Sequence, residues 1–296
     1  MSIQVTSVSK LYKEQKALDA ISFLAKKGEI IGFLGPNGAG KSTMMKILTG
    51  FIKPNSGDVL VNEINVLQNP IEAQKTIGYL PEHNPLYAEM YVREYLQFRA
   101  QIFKVDNNQI ESCIEKVGLT DEAHKRIYQL SKGYQQRVGI AAAILHNPSV
   151  LILDEPTTGL DPNQLVEIRK LIKELGKEKT VLLSTHIMQE VEAICDRVLI
   201  IKKGKILADQ SLHVLQNSTQ QVIIILFDKT ILNNDFKVLP NVVSIQKEKE
   251  SWILTFDAKE DMRPKLFDFA QEKGLKILEL SAQHKSLEIL FREITS

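Results

Sequence analysis

The segment Gly35-Pro36-Asn37-Gly38-Ala39-Gly40-Lys41-Ser42 fits the pattern G-x-x-x-x-G-K-[ST]. Glycines in this arrangement let successive backbone N–H groups turn inward around phosphate oxygens, and a following helix adds the positive end of its dipole. Lys41 supplies a point charge for β- and γ-phosphates, and the Ser42 hydroxyl supplies a hard oxygen for Mg²⁺. Chance produces such a match on the order of once per hundred chains of this size. A second group, Asp154-Glu155, follows the apolar run Val150-Leu151-Ile152-Leu153. There one carboxylate can hold a hydrated cation while its neighbour polarises a water. His186 follows a third apolar run, Thr180-Val181-Leu182-Leu183-Ser184.

These groups converge only if the runs ahead of them are neighbouring strands of one sheet. Glu29–Leu34, Val150–Leu153 and Thr180–Ser184 are near-continuously apolar rather than alternating, as in parallel strands covered by helices on both faces. Leu165, Ile168, Ile172 and Leu175 recur at helical spacing and make a crossover helix, with Pro162 in its first turn. Ile3–Val8 and Ala20–Leu24 read as shorter, more alternating strands of antiparallel type, and Lys202-Lys203-Gly204-Lys205 as a hairpin turn. Met90–Gly118 is polar and helix-forming, which points to a helical subdomain spanning about 84–145. The fold class expected is α/β, a nucleotide-binding cassette with a mixed, mostly parallel sheet. A boundary at 215/216, in the polar stretch Gln216–Gln220, leaves a small α+β domain over 216–296. Its expected strands are Val222–Phe227, Val242–Gln246, Trp252–Phe256 and Leu275–Leu280. Its expected helices carry Met262, Leu266 and Phe269, and then Leu287, Leu290, Phe291 and Ile294.

Composition narrows the function. The chain has 296 residues, with 37 Lys and Arg against 36 Asp and Glu. A net charge of +1 is too small for bulk electrostatic binding of nucleic acid, so no nucleic-acid partner is expected. No apolar run approaches the roughly 20 residues of a membrane span, and no secretory signal opens the chain. Cys113 and Cys195 lie far apart, which argues against a disulfide framework and for a reducing cytoplasm. His83, His124, His146, His213 and His284 show no metal-ligand spacing.

Ahead of Val150 stands Leu130-Ser131-Lys132-Gly133-Tyr134-Gln135-Gln136-Arg137, followed by a short helix expected over Val138–Leu145. With it, the order of motifs resembles the ATP-binding subunits of ATP-binding cassette (ABC) transporters. These run P-loop, signature, Walker B at Val150–Glu155, D-loop at Gly159-Leu160-Asp161, and switch histidine at His186. The resemblance covers about Ile3 to Ala208. It implies ATP and Mg²⁺ as ligands, with Tyr12 stacked on adenine and Gly35, Pro36, Asn37, Gly38, Ala39, Gly40, Lys41, Ser42 and Thr43 around the phosphates. Ser42, Asp154 and Glu82 would serve Mg²⁺, and Glu155 and His186 catalysis. Leu130, Ser131, Lys132, Gly133 and Tyr134 would face the ATP of a second protomer, with Asp161 in the D-loop between them.

The signature departs from Leu-Ser-Gly-Gly-Gln at Lys132 and Tyr134, and Leu80-Pro81-Glu82 carries Glu where Gln is usual. These variants resemble the bacterial export branch, and Leu130–Tyr134 with His146-Asn147-Pro148 is most similar to its gliding-motility type. The resemblance implies a homodimer or paired cassette subunit on separate membrane permease subunits, located in the cytoplasm at the inner face of the cell membrane. Pro85-Leu86-Tyr87-Ala88-Glu89-Met90 is the candidate docking segment, with a core edge as its alternative. Two other functions stay open: an ABC ATPase acting on ribosomes or DNA, and a nucleotide sensor without turnover. Against the first, the chain has one cassette and no coiled-coil insertion; against the second, Glu155 and His186 are both present. The 216–296 region shows no catalytic constellation, although Ser286–Phe291 resembles the accessory domain of export-type ATPases. Trp252 reads as core.

Overall fold

The computed structural model describes residues 1–216, 220–258, 260–284, 287 and 291. The chain divides into two compact units, Met1–Ser211 and Leu212–Ser296. The sequence places this boundary at 215/216. The division falls earlier because a short helix, Leu212–Gln216, opens the second unit.

The first unit begins with β1 (Ile3–Tyr12), β2 (Gln15–Ala25), β3 (Ile30–Leu34), α1 (Lys41–Leu48), β4 (Ser56–Val61), β5 (Ile64–Asn65), α2 (Pro70–Lys75) and β6 (Ile77–Leu80). It continues through α3 (Val92–Phe103), α4 (Asn108–Lys116), α5 (Lys132–Ile144), β7 (Val150–Asp154), α6 (Pro162–Gly176), β8 (Thr180–Thr185), α7 (Met188–Ile194), β9 (Arg197–Lys202) and β10 (Lys205–Ser211). One sheet, ordered β2-β1-β4-β5, is antiparallel. The other, ordered β10-β9-β3-β8-β7-β6, is parallel except for the β9–β10 hairpin.

Strands β3, β7 and β8 are buried at every position. That is the environment that apolar runs without alternation demand. Their side chains close two faces: Phe33, Ile152 and Leu182 share one cluster with Met44, Met45 and Leu48 of α1. The β9–β10 turn has Lys203 at φ 48° and Gly204 at φ 76°. Positive φ at both central residues is the type I′ geometry whose twist matches the strands. The expected helical insertion is present as α3 to α5. Helix α5 starts at Lys132 rather than at Val138, because Ser131 caps it and accepts from the Tyr134 N–H.

The second unit comprises α8 (Leu212–Gln216), β11 (Gln220–Phe227), β12 (Val242–Glu248), β13 (Ser251–Asp257), α9 (Arg263–Glu272) and β14 (Ile277–His284). Its antiparallel sheet runs β12-β13-β11-β14. Alternate residues Ile223, Ile225 and Phe227 point to a core shared with Leu254, Phe256, Leu266 and Phe269. Trp252 is buried there against Phe236, ring centroids 5.0 Å apart. Pro264 lies in the first turn of α9, where its missing N–H has no helical partner to lose. The terminal helix lies largely outside the described residues; Leu287 and Phe291 are helical, and Leu287 is buried. Among the described residues, no helix is long and apolar enough to cross a membrane.

Candidate nucleotide site

Because β3, β7 and β8 are parallel neighbours, their carboxyl ends open at the same sheet edge. The loops leaving them carry the P-loop, Asp154-Glu155 and His186. Ligands in open α/β sheets bind at this edge. Gly40 caps α1 at φ 110°, a left-handed conformation that strains any residue with a Cβ. It aims the first N–H groups of α1 back into the loop. Lys41, though only 6% exposed, donates to the carbonyls of Gly35 (2.8 Å) and Pro36 (3.3 Å). Pro36, Asn37 and Gly38 are exposed, Ala39 is buried, and Ser42 and Thr43 are half-buried.

The Ser42 hydroxyl donates to Asp154 Oδ1 at 3.2 Å, and the Ser184 hydroxyl from β8 donates to the same oxygen. Burial raises the Asp154 pKa above the usual carboxylate range; the two hydroxyls oppose that shift, and the charges of Glu82 and Glu155 add to it. A buried carboxylate beside a hydroxyl is a pair of hard oxygen donors, the chemistry Mg²⁺ prefers. Among the described residues, no cluster of three or more His, Cys, Asp or Glu could cage a metal. The Ser42–Asp154 pair is thus the donor set that could hold Mg²⁺, an ion commonly bound through one or two protein oxygens. Glu82 is exposed and influences Asp154 through its charge.

Glu155 links the three loops. Its Oε1 lies 3.3 Å from Lys41 Nζ, and its Oε2 lies 2.9 Å from His186 Nδ1 and accepts from Thr158 at 3.3 Å. Its backbone is left-handed, φ 50°, an uncommon conformation for a residue with a side chain. The strand beside it holds that conformation, since the Glu155 N–H donates to both the carbonyl and the hydroxyl of Ser184. Strain maintained by its surroundings is frequent at functional sites.

A residue that sequence reasoning missed stands behind this cluster. Glu190 of α7 is 0% exposed, and its carboxylate accepts from Thr157, which follows Glu155, and from Thr185, which precedes His186. It therefore ties the Glu155 loop to the His186 loop. The available signal was weak: an acid among apolar Val191 and Ile194 on a short helix.

The structure brings Lys41, Ser42, Asp154, Glu155 and His186 together. Tyr12 and Leu130–Tyr134 stand apart: among the described residues they make no hydrogen bond, ion pair or ring contact with that cluster. Tyr12 is 47% exposed, with Lys10 over its ring. Ser131, Lys132 and Tyr134 are exposed, while Leu130 and Gly133 are buried. Asp161 caps α6, accepting from the N–H groups of Asn163 and Gln164, both at 3.0 Å. His146 stacks on Phe103 with centroids 4.0 Å apart, and burial lowers its pKa to about 4. Both cysteines are free and buried, and burial pushes the Cys113 thiol up to about 12.

Residues 18–158 match the family model described as "ABC transporter". Over 302 residues the chain is 35% identical to the bacitracin transport ATP-binding protein BcrA of Bacillus licheniformis, covering 98% of this chain and 95% of that protein. It is 37% identical to the Nod factor export ATP-binding protein I of Rhizobium meliloti, over 73% of this chain and 66% of that protein. Among solved structures, a dimeric bacterial ABC transporter cassette superposes with a TM-score of 0.65 at 28% identity, covering 71% of this chain and 98% of that one. The same cassette is known in a post-hydrolysis state with ADP and Pi, again at a TM-score of 0.65, 28% identity and the same coverage of each chain. A P-loop, a buried carboxylate pair and a histidine at one sheet edge, set beside a relative 35% identical over 95% of its length, identify the chain as an ATP-binding subunit of the ABC transporter family.

Proposed function

We propose that the protein hydrolyses ATP to power export through separate membrane subunits. The observation that carries this reading is the connection of Lys41, Glu155 and His186 beside the Ser42–Asp154 pair. The P-loop N–H groups and Lys41 hold the β- and γ-phosphates. Mg²⁺, when bound at Ser42 and Asp154, offsets charge on the phosphate oxygens. Glu155 accepts a proton from the attacking water, and His186, held by Glu155, contacts the γ-phosphate. Tyr12 stacks on adenine, and Glu82 would help hold the ion. Leu130–Tyr134 of a second protomer close the site, so the working unit is a homodimer or a pair with another cassette, its D-loops meeting near Asp161.

The relatives' names, bacitracin transport and Nod factor export, support export as the direction. They lend nothing to a gliding-motility role, so the proposal stops at export. The membrane subunits dock on the helical subdomain beside Pro85–Met90. A cleft of about 860 Å³ there is lined by Phe51, Ile71, Tyr79, Pro85 and Ile102. Phe51, Ile71 and Ile102 are exposed large apolar residues of the kind that marks interaction surfaces. Docking of this kind puts the protein at the inner face of the cell membrane. Affinity capture of the full chain from native membranes tests the reading. An integral membrane polypeptide in stoichiometric amount is expected. Ribosomes or DNA in its place would overturn the transport assignment.

A further inference from the structure

The signature hydroxyl of Ser131 is held from within its own protomer. Gln164 Nε2, on the first turn of α6, donates to Ser131 Oγ at 3.1 Å, and the Tyr134 N–H donates to the same oxygen at 3.4 Å. A serine hydroxyl offers two lone pairs and one proton. Both accepting positions are engaged, and no hydrogen bond among the described residues uses the proton. What remains is an unused donor on an exposed serine, which suits an anionic acceptor and nothing that donates.

Two further contacts fix Gln164. Its backbone N–H donates to Asp161 at 3.0 Å. Its amide also lies so close to Gly133 that a Cβ there would sit 2.6 Å from Gln164 Cδ, so the glycine makes room for it. Separately, the Lys132 ammonium lies over Gly159, in the space a side chain would need. The signature and the Gly159–Gln164 segment are thereby joined as one surface.

We infer that Gln164 is a positioning residue: by occupying the acceptor side of Ser131 Oγ, it turns the hydroxyl proton outward toward the phosphate presented by a second protomer. The inference rests on the composite-site reading above. Three substitutions separate the possibilities. Gln164→Leu removes the donor and frees the hydroxyl to rotate. Gln164→Glu supplies an acceptor that draws the proton inward and adds a negative charge facing the phosphate. Ser131→Ala removes the hydroxyl.

The test uses the full chain carrying Glu155→Gln, with ATP and Mg²⁺, and measures the dimer dissociation constant by sedimentation and nucleotide affinity with a fluorescent ATP analogue. Gln164→Leu is expected to weaken dimerisation about tenfold, since at each of two sites the hydroxyl is no longer pre-oriented toward the phosphate. Gln164→Glu is expected to weaken it further, and neither should change the nucleotide affinity of the monomer, which also reports that each variant is folded. On a Ser131→Ala background, Gln164→Leu should add nothing. Parent-like dimerisation of both Gln164 variants, or an undiminished Leu penalty on Ser131→Ala, overturns the role of Gln164. Failure of the Glu155→Gln parent itself to dimerise removes the composite site, and this inference with it.

Discussion

The two units bury different things. Below residue 212 the interior holds Lys41, Asp154, Glu155 and Glu190, each less than a tenth exposed. In the second unit, the buried polar side chains among the described residues reduce to Thr255, and the centre is a cluster of Phe227, Phe236, Trp252 and Phe269. Burying a charge costs several kcal/mol unless it is paired and hydrogen-bonded. The first unit meets that requirement with hydroxyls and opposing charges drawn from separate strands. The second avoids it by packing aromatic rings. The difference teaches where function resides: one interior is organised around groups that can meet phosphate, the other around close packing alone.

The sharpest way to break the contrast is to empty the second core. Phe236→Ala should destabilise the second unit by about 3–5 kcal/mol through lost burial and a residual cavity. ATP turnover by the first unit should be unchanged at temperatures where it stays folded. Paired calorimetry and turnover measurements check this, and a matching loss of turnover would mean that the second unit supports the chemistry directly.

A smaller effect belongs to His146, a half-buried titratable group of the first unit that stacks on an aromatic ring and faces the charges of Arg99 and Lys179. Its pKa falls from 6.5 to about 4 on folding. The unfolded chain then takes up the proton first, so stability is fully present above pH 6.5 and declines as the pH drops toward 4. The decline amounts to roughly 3 kcal/mol. Denaturant unfolding of the protein and of His146→Phe across this range should show the slope in the first and its loss in the second.

The finest probe is Glu190. Glu190→Ala leaves the Thr157 and Thr185 hydroxyls without their acceptor, an effect of about 1–3 kcal/mol. Its expected signature is a fall in kcat of about 10–100-fold with little change in KM, because the substitution loosens Glu155 and His186 rather than the P-loop. A rise in KM at constant kcat would instead assign Glu190 to nucleotide binding.

The legible parts of the molecule were those whose signal is local. Strands β3, β7 and β8 declare themselves by apolar runs long enough to need cover on both faces, and the P-loop by residue types that no ordinary turn requires. Strand β6 escaped notice because Ile77–Leu80 is short and interrupted by Gly78. Strand β4 was missed because polar Ser56, Gly57 and Asp58 open it. Periodicity alone starts α5 late because Gly133 is a poor helix former, and the Ser131 cap that offsets it is read more easily from hydrogen bonds. At the site, each motif was visible alone, yet the pairing of Lys41 with Glu155, and of Thr157 and Thr185 with Glu190, joins residues that only the sheet order brings together. Gln164 was hidden for the same reason.

The central claim, that Glu155 drives hydrolysis at a site shared by two protomers, meets its most direct test in the Glu155→Gln protein with ATP and Mg²⁺. Its rate of phosphate release and its mass in solution should be followed together. Turnover reduced by about 10²–10⁴-fold and a stable ATP-bound dimer are expected. A monomer at saturating ATP, or turnover equal to that of the unsubstituted protein, would contradict it.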